Sequence, residues 1–218
     1  MNFHGDYQAL YNAVKTKLSS GSSCHDFDHT LRVVSNAKRL LGSSEADREI
    51  VLLAALLHDI ARPEEEKSKG KLCHAKLGAA AAPAMLKEAG FSEDTAIRVA
   101  EAVRTHRFRG KDEPATPEAD IVFDADKLDS LGAVGIGRAF LFAGNENARL
   151  HNTEEEALAS DAYSKNDTAY REFLVKLRYL PRKMRTVAGR KLAVERAAFM
   201  AQFFDTLNNE IYQGEDIL

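Results

Sequence analysis

One stretch of the chain, residues 50–60 with the sequence IVLLAALLHDI, limits most strongly what this protein can fold into. Eight consecutive apolar residues lead directly into His58 and Asp59. A helix that is apolar on every side belongs in the middle of a domain rather than on its surface. An imidazole and a carboxylate at the end of such a helix are costly to bury unless they are paired or bind a metal ion. The stretch therefore predicts a functional site deep inside the protein.

Two further segments carry the partners that such a site needs. HDFDHT at residues 25–30 holds two histidines and two aspartates, and FDADKLD at residues 123–129 holds three aspartates. Imidazoles and carboxylates without a thiolate suit an octahedral divalent ion, with positions left open for water or substrate. A structural zinc site would instead be closed and tetrahedral, often with cysteine. The candidate ligands are the histidines and aspartates of these three segments, and spacing alone does not choose among Asp124, Asp126 and Asp129.

In the order His29, His58-Asp59 and Asp126, these residues resemble the H…HD…D pattern of the HD-domain metal-dependent phosphohydrolases. In that family the last ligand is an aspartate just before a basic residue and leucine, which selects Asp126 and leaves Asp124 and Asp129 as helix-end and capping groups. The resemblance covers nearly the whole chain and is greatest to a small bacterial branch of single-domain hydrolases. It extends through HAKLGAAAA (74–82), AVRTHRF (102–108), DADKLDSLGAVGIGRA (124–139) and MRTVAGRKLAVERAAFM (184–200).

The resemblance implies a divalent-metal-dependent phosphohydrolase acting on a nucleotide or related phosphoester. Some relatives are manganese-dependent nucleotide pyrophosphatases, so it implies nucleoside triphosphate pyrophosphohydrolysis by a metal-activated water, with Asp59 also catalytic. Mn²⁺ is the expected ion, and Mg²⁺, Fe²⁺, Ni²⁺ and Co²⁺ are alternatives. A 5′-nucleotidase, a phosphodiesterase or a non-catalytic metal- or nucleotide-binding helical module are the other readings. Other HD branches carry an acidic residue one helical turn after the pair, where HDIARPEEE has Arg62 and Pro63, so the general acid is unassigned.

Two more histidines are candidate catalytic residues. His74 and His106 are each predicted at a helix terminus, where a site residue is commonly placed. We expect them to contact substrate or transfer protons, because histidine is the usual general acid–base. HD relatives with two metals use further histidines, so His74 could also serve as a ligand. The alternative for both is a solvated histidine at a helix end.

Basic residues near these motifs predict an anionic substrate. Arginine matches phosphate oxygens bidentately and lysine acts as a point charge, although most charged residues on a helix simply face solvent. His25 and Asp26 are predicted to support a ligand histidine, with local capping by Asp26 as the alternative. The candidate substrate-binding residues are Lys127, Arg62, Arg104 and Arg107.

Apolar residues recur at helical spacing through most of the chain, and no segment reads as a strand. The prediction is an all-α HD-domain helical bundle with a metal site in its core. It forms a single domain over residues 1–218, with a core at about 20–145 and C-terminal helices at about 167–212. Asp28 and Ser44 are predicted N-caps, and Asp129 or Ser130 another. Residues 64–71 are predicted as a loop, and residues 145–166 as a long irregular segment suited to a lid.

The composition of the chain limits the classes of partner and the cellular locations that we expect. A net charge of −3 and a pI of about 6.2 argue against binding a nucleic-acid duplex. No apolar run reaches about 18 residues, so no membrane span is expected, and the first residues lack the features of a signal peptide. Two cysteines, Cys24 and Cys73, make no disulfide framework and indicate a reducing cytoplasm. We expect a monomer or homodimer whose partner is a small phosphorylated substrate.

Overall fold

The structure is a computed structural model that describes residues 3–19, 26–42, 44–68, 70–107 and 113–212. Throughout these residues the regular secondary structure is helical, which confirms the predicted all-α fold. The chain divides into two compact units, Met1–Asp126 and Lys127–Leu218. The helices of the first unit are α1 (Tyr7–Leu18), α2 (Phe27–Leu41), α3 (Arg48–Leu57), α4 (Arg62–Lys67), α5 (His74–Glu88) and α6 (Glu93–Thr105), and α7 is Pro117–Leu128.

Helix α3 forms the core of the first unit. Every side chain from Ile50 to Leu57 is buried, and the helix packs against α2 and α6. Burying one large aliphatic side chain contributes about 1.5–3 kcal/mol, so this helix holds much of the unit together. Its N-cap is Asp47, whose carboxylate accepts hydrogen bonds from the backbone N–H groups of Glu49 and Ile50. The prediction of Ser44 as the cap was wrong, because the carboxylate three residues later satisfies those donors.

Helix α2 begins at Phe27, two residues earlier than a cap at Asp28 would have allowed. Asp26 is its N-cap, and its Oδ1 accepts a hydrogen bond from the backbone N–H of His29 at 2.8 Å. Asp28 instead lies in the first turn, where its negative charge is favourable beside the positive end of the helix dipole. Gly42 follows the last helical residue, Leu41, as predicted.

The prediction of a loop at residues 64–71 was wrong in its first half, because α4 extends from Arg62 to Lys67. Pro63 lies in the first turn of this helix, where proline's missing N–H costs no hydrogen bond. It therefore starts a new helix and does not stop α3, which already ends at Leu57. The turn between the two helices brings one acidic residue of α4, Glu65, back toward the HD pair, where it contacts Arg62 and His74.

Helices α5 and α6 pack closely against each other. A Cβ added at Gly78 would meet Val103 Cγ1 at 3.4 Å and the His58 carbonyl oxygen at 3.6 Å, so a small residue permits this approach. A side-chain hydrogen bond joins α2 to the last turn of α7, because Asn36 Nδ2 donates to the carbonyl of Ala125 at 3.0 Å.

The second unit contains shorter helices and one long one. Asp129 does not cap α8 and neither does Ser130, because Leu131 occupies that position and Asp129 pairs with Arg138 at 2.9 Å. Residues 145–166 are largely irregular as predicted, apart from α9 with its capping box of Thr153 and Glu156. No helix in the described part of the chain is long and apolar enough to span a membrane. The elements are α8 (Gly132–Asn145), α9 (Glu154–Ala159), α10 (Ala169–Val175), a 3-10 helix (Leu177–Lys183) and α11 (Val187–Tyr212).

Candidate metal centre

Three predicted ligands from three helices meet in the first unit, and we call them the first trio. His29 lies in the first turn of α2, His58 follows the last residue of α3, and Asp126 lies in the last turn of α7. The Nε2 atoms of the two histidines are 3.2 Å apart, and His29 Nε2 is 3.5 Å from Asp126 Oδ1. Donor atoms of all three residues lie within 4.8 Å of one another, which is close enough to share one ion.

A second group of donors, which we call the second trio, lies beside the first. It consists of Asp59, His74 and His106, and its donor atoms also lie within 4.8 Å of one another. The two histidine Nε2 atoms are 3.1 Å apart. Asp59 Oδ1 is 3.3 Å from Nε2 of His74 and 3.6 Å from Nε2 of His106. His74 begins α5 and His106 follows α6, so both lie at helix termini as predicted.

Asp59 connects the two trios through its two carboxylate oxygens. Oδ1 faces the second trio, whereas Oδ2 is 3.6 Å from His29 Nε2 and 3.7 Å from His58 Nε2. Oδ1 is buried and has no hydrogen-bond partner among the residues that the structure describes. A buried carboxylate oxygen left in this way is costly unless a cation neutralises it. The donor set therefore fits divalent ions on one or both sides of Asp59.

The ring nitrogens that face the centre are held in the form that binds metals. His58 donates from Nδ1 to the carbonyl of Ala55 at 2.8 Å, and His106 donates from Nδ1 to the carbonyl of Val103 at 2.6 Å. A carbonyl oxygen can only accept, so the proton must be on Nδ1 and the lone pair on Nε2. This arrangement fixes both the tautomer and the ring orientation of a ligand histidine.

Burial keeps the imidazoles of His58 and His74 neutral. It lowers the pKa of His58 and of His74 to about 4, although the negative charge of Asp59 opposes the shift in both. For Asp59, burial favours the protonated acid, but Arg62 and His58 prevail and hold its pKa well below the usual range. At neutral pH His58 and His74 therefore present neutral nitrogen donors and Asp59 an ionised carboxylate, which is the combination a divalent ion needs.

A carboxylate that the sequence reading assigned to a loop completes the surroundings. Glu65 Oε2 is 2.5 Å from Nδ1 of His74 and 2.7 Å from Nη1 of Arg62, and its Oε1 is 3.1 Å from Nη1 of Arg107. Arg62 also approaches Asp59, with Nε 3.4 Å from Oδ2. The sequence does contain a signal for this contact, namely Pro63, which is a common first-turn residue of a helix. A helix beginning at Arg62 turns Glu65 toward the HD pair.

The structure separates the other candidates. Arg62 and Arg107 reach this network, whereas the recorded ion pair of the exposed Arg104 is with Glu101 at 3.9 Å. Asp26 caps α2 through the backbone of a ligand histidine, and His25 lies outside the described residues. Lys127 directly follows Asp126 in α7, and its predicted contact with substrate stays a prediction.

Comparison with known proteins identifies relatives that are similar to most of this chain. The HD domain family matches residues 26–131. The uncharacterized protein YpgQ of Bacillus subtilis is 34% identical over 202 residues, covering 91% of this chain and 90% of YpgQ. The crystal structure of YpgQ in complex with ADP is 31% identical with a TM-score of 0.71, covering 93% of both chains. An HD-superfamily hydrolase from Bacillus thuringiensis is 27% identical with a TM-score of 0.71, covering 93% of this chain and 95% of its own.

The chain therefore belongs to the HD-domain family, and it is a metal-dependent phosphohydrolase of the HD superfamily. This confirms the family and the class of enzyme that the H…HD…D order indicated. YpgQ and the Bacillus thuringiensis hydrolase align over nearly the whole length of this chain and of their own, so the similarity extends well beyond the HD segment.

Proposed function

We propose that this protein hydrolyses nucleoside triphosphates to the monophosphate and pyrophosphate, with Mn²⁺ as its cofactor. The observation that carries the proposal is the position of Asp59, whose two oxygens each face a pair of histidine Nε2 atoms. Asp59 would therefore help to hold a cation with either pair of histidines. His29, His58, Asp59 and Asp126 would hold one ion, and Asp59, His74 and His106 would hold another.

A bound divalent ion supplies Lewis acidity, lowering the pKa of a water molecule and polarising a phosphoryl oxygen. The chain's own contribution is to present neutral Nε2 lone pairs and the ionised Asp59 at fixed positions. We propose ligation for His74 and His106 rather than proton transfer. Their Nε2 atoms face each other and Asp59, and burial lowers the pKa of His74 to about 4, so at neutral pH its ring is uncharged and is not an acid on the side of Nε2.

Arg62 and Arg107 would bind the phosphate groups of the substrate. Both guanidinium groups point at Glu65, at the edge of the second trio, and both side chains are partly exposed. Guanidinium groups match phosphate oxygens in geometry and keep their charge at any physiological pH.

A nucleotide is the proposed substrate because a similar protein, YpgQ, has been crystallised with ADP. The free thiol of Cys73 fits a cytoplasmic location, where nucleotides are abundant.

Phosphorus NMR of product mixtures tests the proposal. Purified protein with Mn²⁺ is given nucleoside mono-, di- and triphosphates, beside the variants Asp59→Ala and Asp94→Ala. Asp94 is the matched control, because its side chain is 81% exposed. We expect pyrophosphate from triphosphates, at least about a 10³-fold loss in Asp59→Ala because several kcal/mol of charge stabilisation disappear, and no loss in Asp94→Ala.

Other products would replace the proposal with a named alternative. Orthophosphate from monophosphates would identify a 5′-nucleotidase, and cleavage of a phosphodiester without turnover of triphosphates would identify a phosphodiesterase. Bound Mn²⁺ without turnover of any of these compounds would identify a non-catalytic metal-binding module.

A further inference from the structure

We propose that Glu65 is a positioning residue that gives the second trio its affinity for a cation, by orienting His74 and by balancing two arginines. The proposal rests on the proposed function in one respect, namely that the second trio holds a cation. It concerns a residue outside the H…HD…D pattern, on a helix that the sequence reading assigned to a loop.

The position of His74 on its helix explains why it needs a side-chain partner. His58 and His106 follow the ends of α3 and α6, and each donates from Nδ1 to the backbone carbonyl three residues earlier. His74 is the first residue of α5, so no preceding helical turn offers it a carbonyl. Glu65 Oε2 supplies the missing acceptor at 2.5 Å.

The contact decides which nitrogen of His74 faces the cation. An ionised carboxylate can only accept hydrogen bonds, so Nδ1 of His74 carries the proton and Nε2 carries the lone pair. That Nε2 atom lies 3.3 Å from Asp59 Oδ1 and 3.1 Å from Nε2 of His106. A carboxylate behind a ligand histidine also increases the basicity of the ring.

The charge of Glu65 has a second effect, on the arginines. Nη1 of Arg62 is 2.7 Å from Oε2 and Nη1 of Arg107 is 3.1 Å from Oε1, so one buried carboxylate serves both guanidinium groups. Only 6% of Glu65 is exposed, and little water is available to replace it. Without its charge, two guanidinium groups would stand beside a site for a divalent cation and repel that cation.

The backbone carbonyls that orient His58 and His106 are unaffected by replacing Glu65. The first trio contains His58 and does not contact Glu65 directly, although Arg62 also approaches Asp59 Oδ2 on its side, so its cation should be affected far less. The expected consequence is selective: the second cation is weakened and the first is retained. A general loss of structure would weaken both.

Mn²⁺ titration with detection of the free ion by electron paramagnetic resonance tests this prediction without requiring turnover. The variants are Glu65→Ala, Glu65→Gln and Glu64→Gln. Glu64 is the matched control because it is the adjacent residue of α4, with the same charge, and pairs with Lys17 at 2.8 Å. We expect two bound ions in the unaltered protein, a second ion bound about 10- to 100-fold more weakly in Glu65→Ala, and no change in Glu64→Gln.

Glu65→Gln separates the two effects, because its amide oxygen still accepts from His74 while the charge is lost. We expect it to fall between Glu65→Ala and the unaltered protein. The proposal is overturned if the unaltered protein binds a single ion, if Glu65→Ala binds the second ion normally, or if both ions weaken equally. Absence of nucleotide hydrolysis beside the expected titrations would defeat the proposed function and leave the role of Glu65 standing.

Discussion

The first and second trios use the same kinds of donor atoms but are supported differently. In the first trio the ring of His58 is oriented by a backbone carbonyl, and Asp126 is held in a helix tied to α2 by Asn36. In the second trio His74 is oriented by Glu65, which also pairs with two arginines. His58 and His106 are thus oriented by the backbone, whereas His74 depends on a side chain whose arginine partners, in the proposed function, also bind substrate phosphates. Binding of the substrate and of the second cation should be coupled.

Both trios contain a histidine that burial keeps neutral, and acidification tests this shared property. It should give the largest expected effect, a loss of free energy of unfolding. The pKa of His58 and of His74 is lowered from 6.5 to about 4, so between these values the unfolded chain binds more protons than the folded one. Stability is therefore lost as the pH falls through this window. The metal-free protein should lose about 2 kcal/mol per imidazole between pH 7.5 and 5.0, measured by urea unfolding.

Replacing one histidine at a time shows how much of the pH dependence of stability comes from each trio. His58→Gln and His74→Gln should each remove about half of the pH dependence. His4→Gln is the control, since bonding to the carboxylate of Glu49 raises the pKa of this exposed ring and reverses the sign of any contribution. A free energy of unfolding that stays flat down to pH 5.0 would contradict the neutral, buried state of these rings.

Asn36→Leu should weaken the first trio alone. The change removes the donor to the Ala125 carbonyl, one residue before Asp126 in the last turn of α7. A buried carbonyl left unpaired costs about 1–3 kcal/mol, and a shift of Asp126 should weaken the first cation about 10-fold. Urea unfolding and Mn²⁺ titration measure the two effects, with Asn12→Leu as the exposed control. Equal weakening of both cations would show that Asn36 acts on the fold as a whole.

The smallest expected difference separates two arginines that the sequence analysis treated alike. Arg107→Ala should raise the KM for a triphosphate about 10-fold, because a charge-assisted bond to phosphate contributes about 1.5–3 kcal/mol. Arg104→Ala should change it less than about twofold, since its pair with Glu101 is long and exposed. Steady-state kinetics compares them, and an equal rise in both variants would show that the second trio has no particular link to substrate.

The sequence predicted the centre well where one local signal decided it. The apolar run before His58 predicted a buried helix, and helix-end placement identified His74 and His106 as candidates. Failures arose where neighbouring residues could do the same task. Asp26 and Asp28 are both good N-caps, as are Ser44 and Asp47, and only packing decides which is used. Glu65 was missed because residues 64–71 were predicted as a loop, although Pro63 just before them is a good first-turn residue of a helix.

The complete burial of α3 should determine the lifetime of the arrangement of His58 and Asp59, because it suppresses local opening of the helix that precedes them. Surface helices open and close locally many times for each global unfolding event, and their amide hydrogens exchange accordingly. A helix with every side chain from Ile50 to Leu57 buried has no such local route. Its amides should be among the slowest to exchange, with protection approaching that of global unfolding. His58 and Asp59 directly follow this helix, so the lifetime of their arrangement should approach that of the folded state.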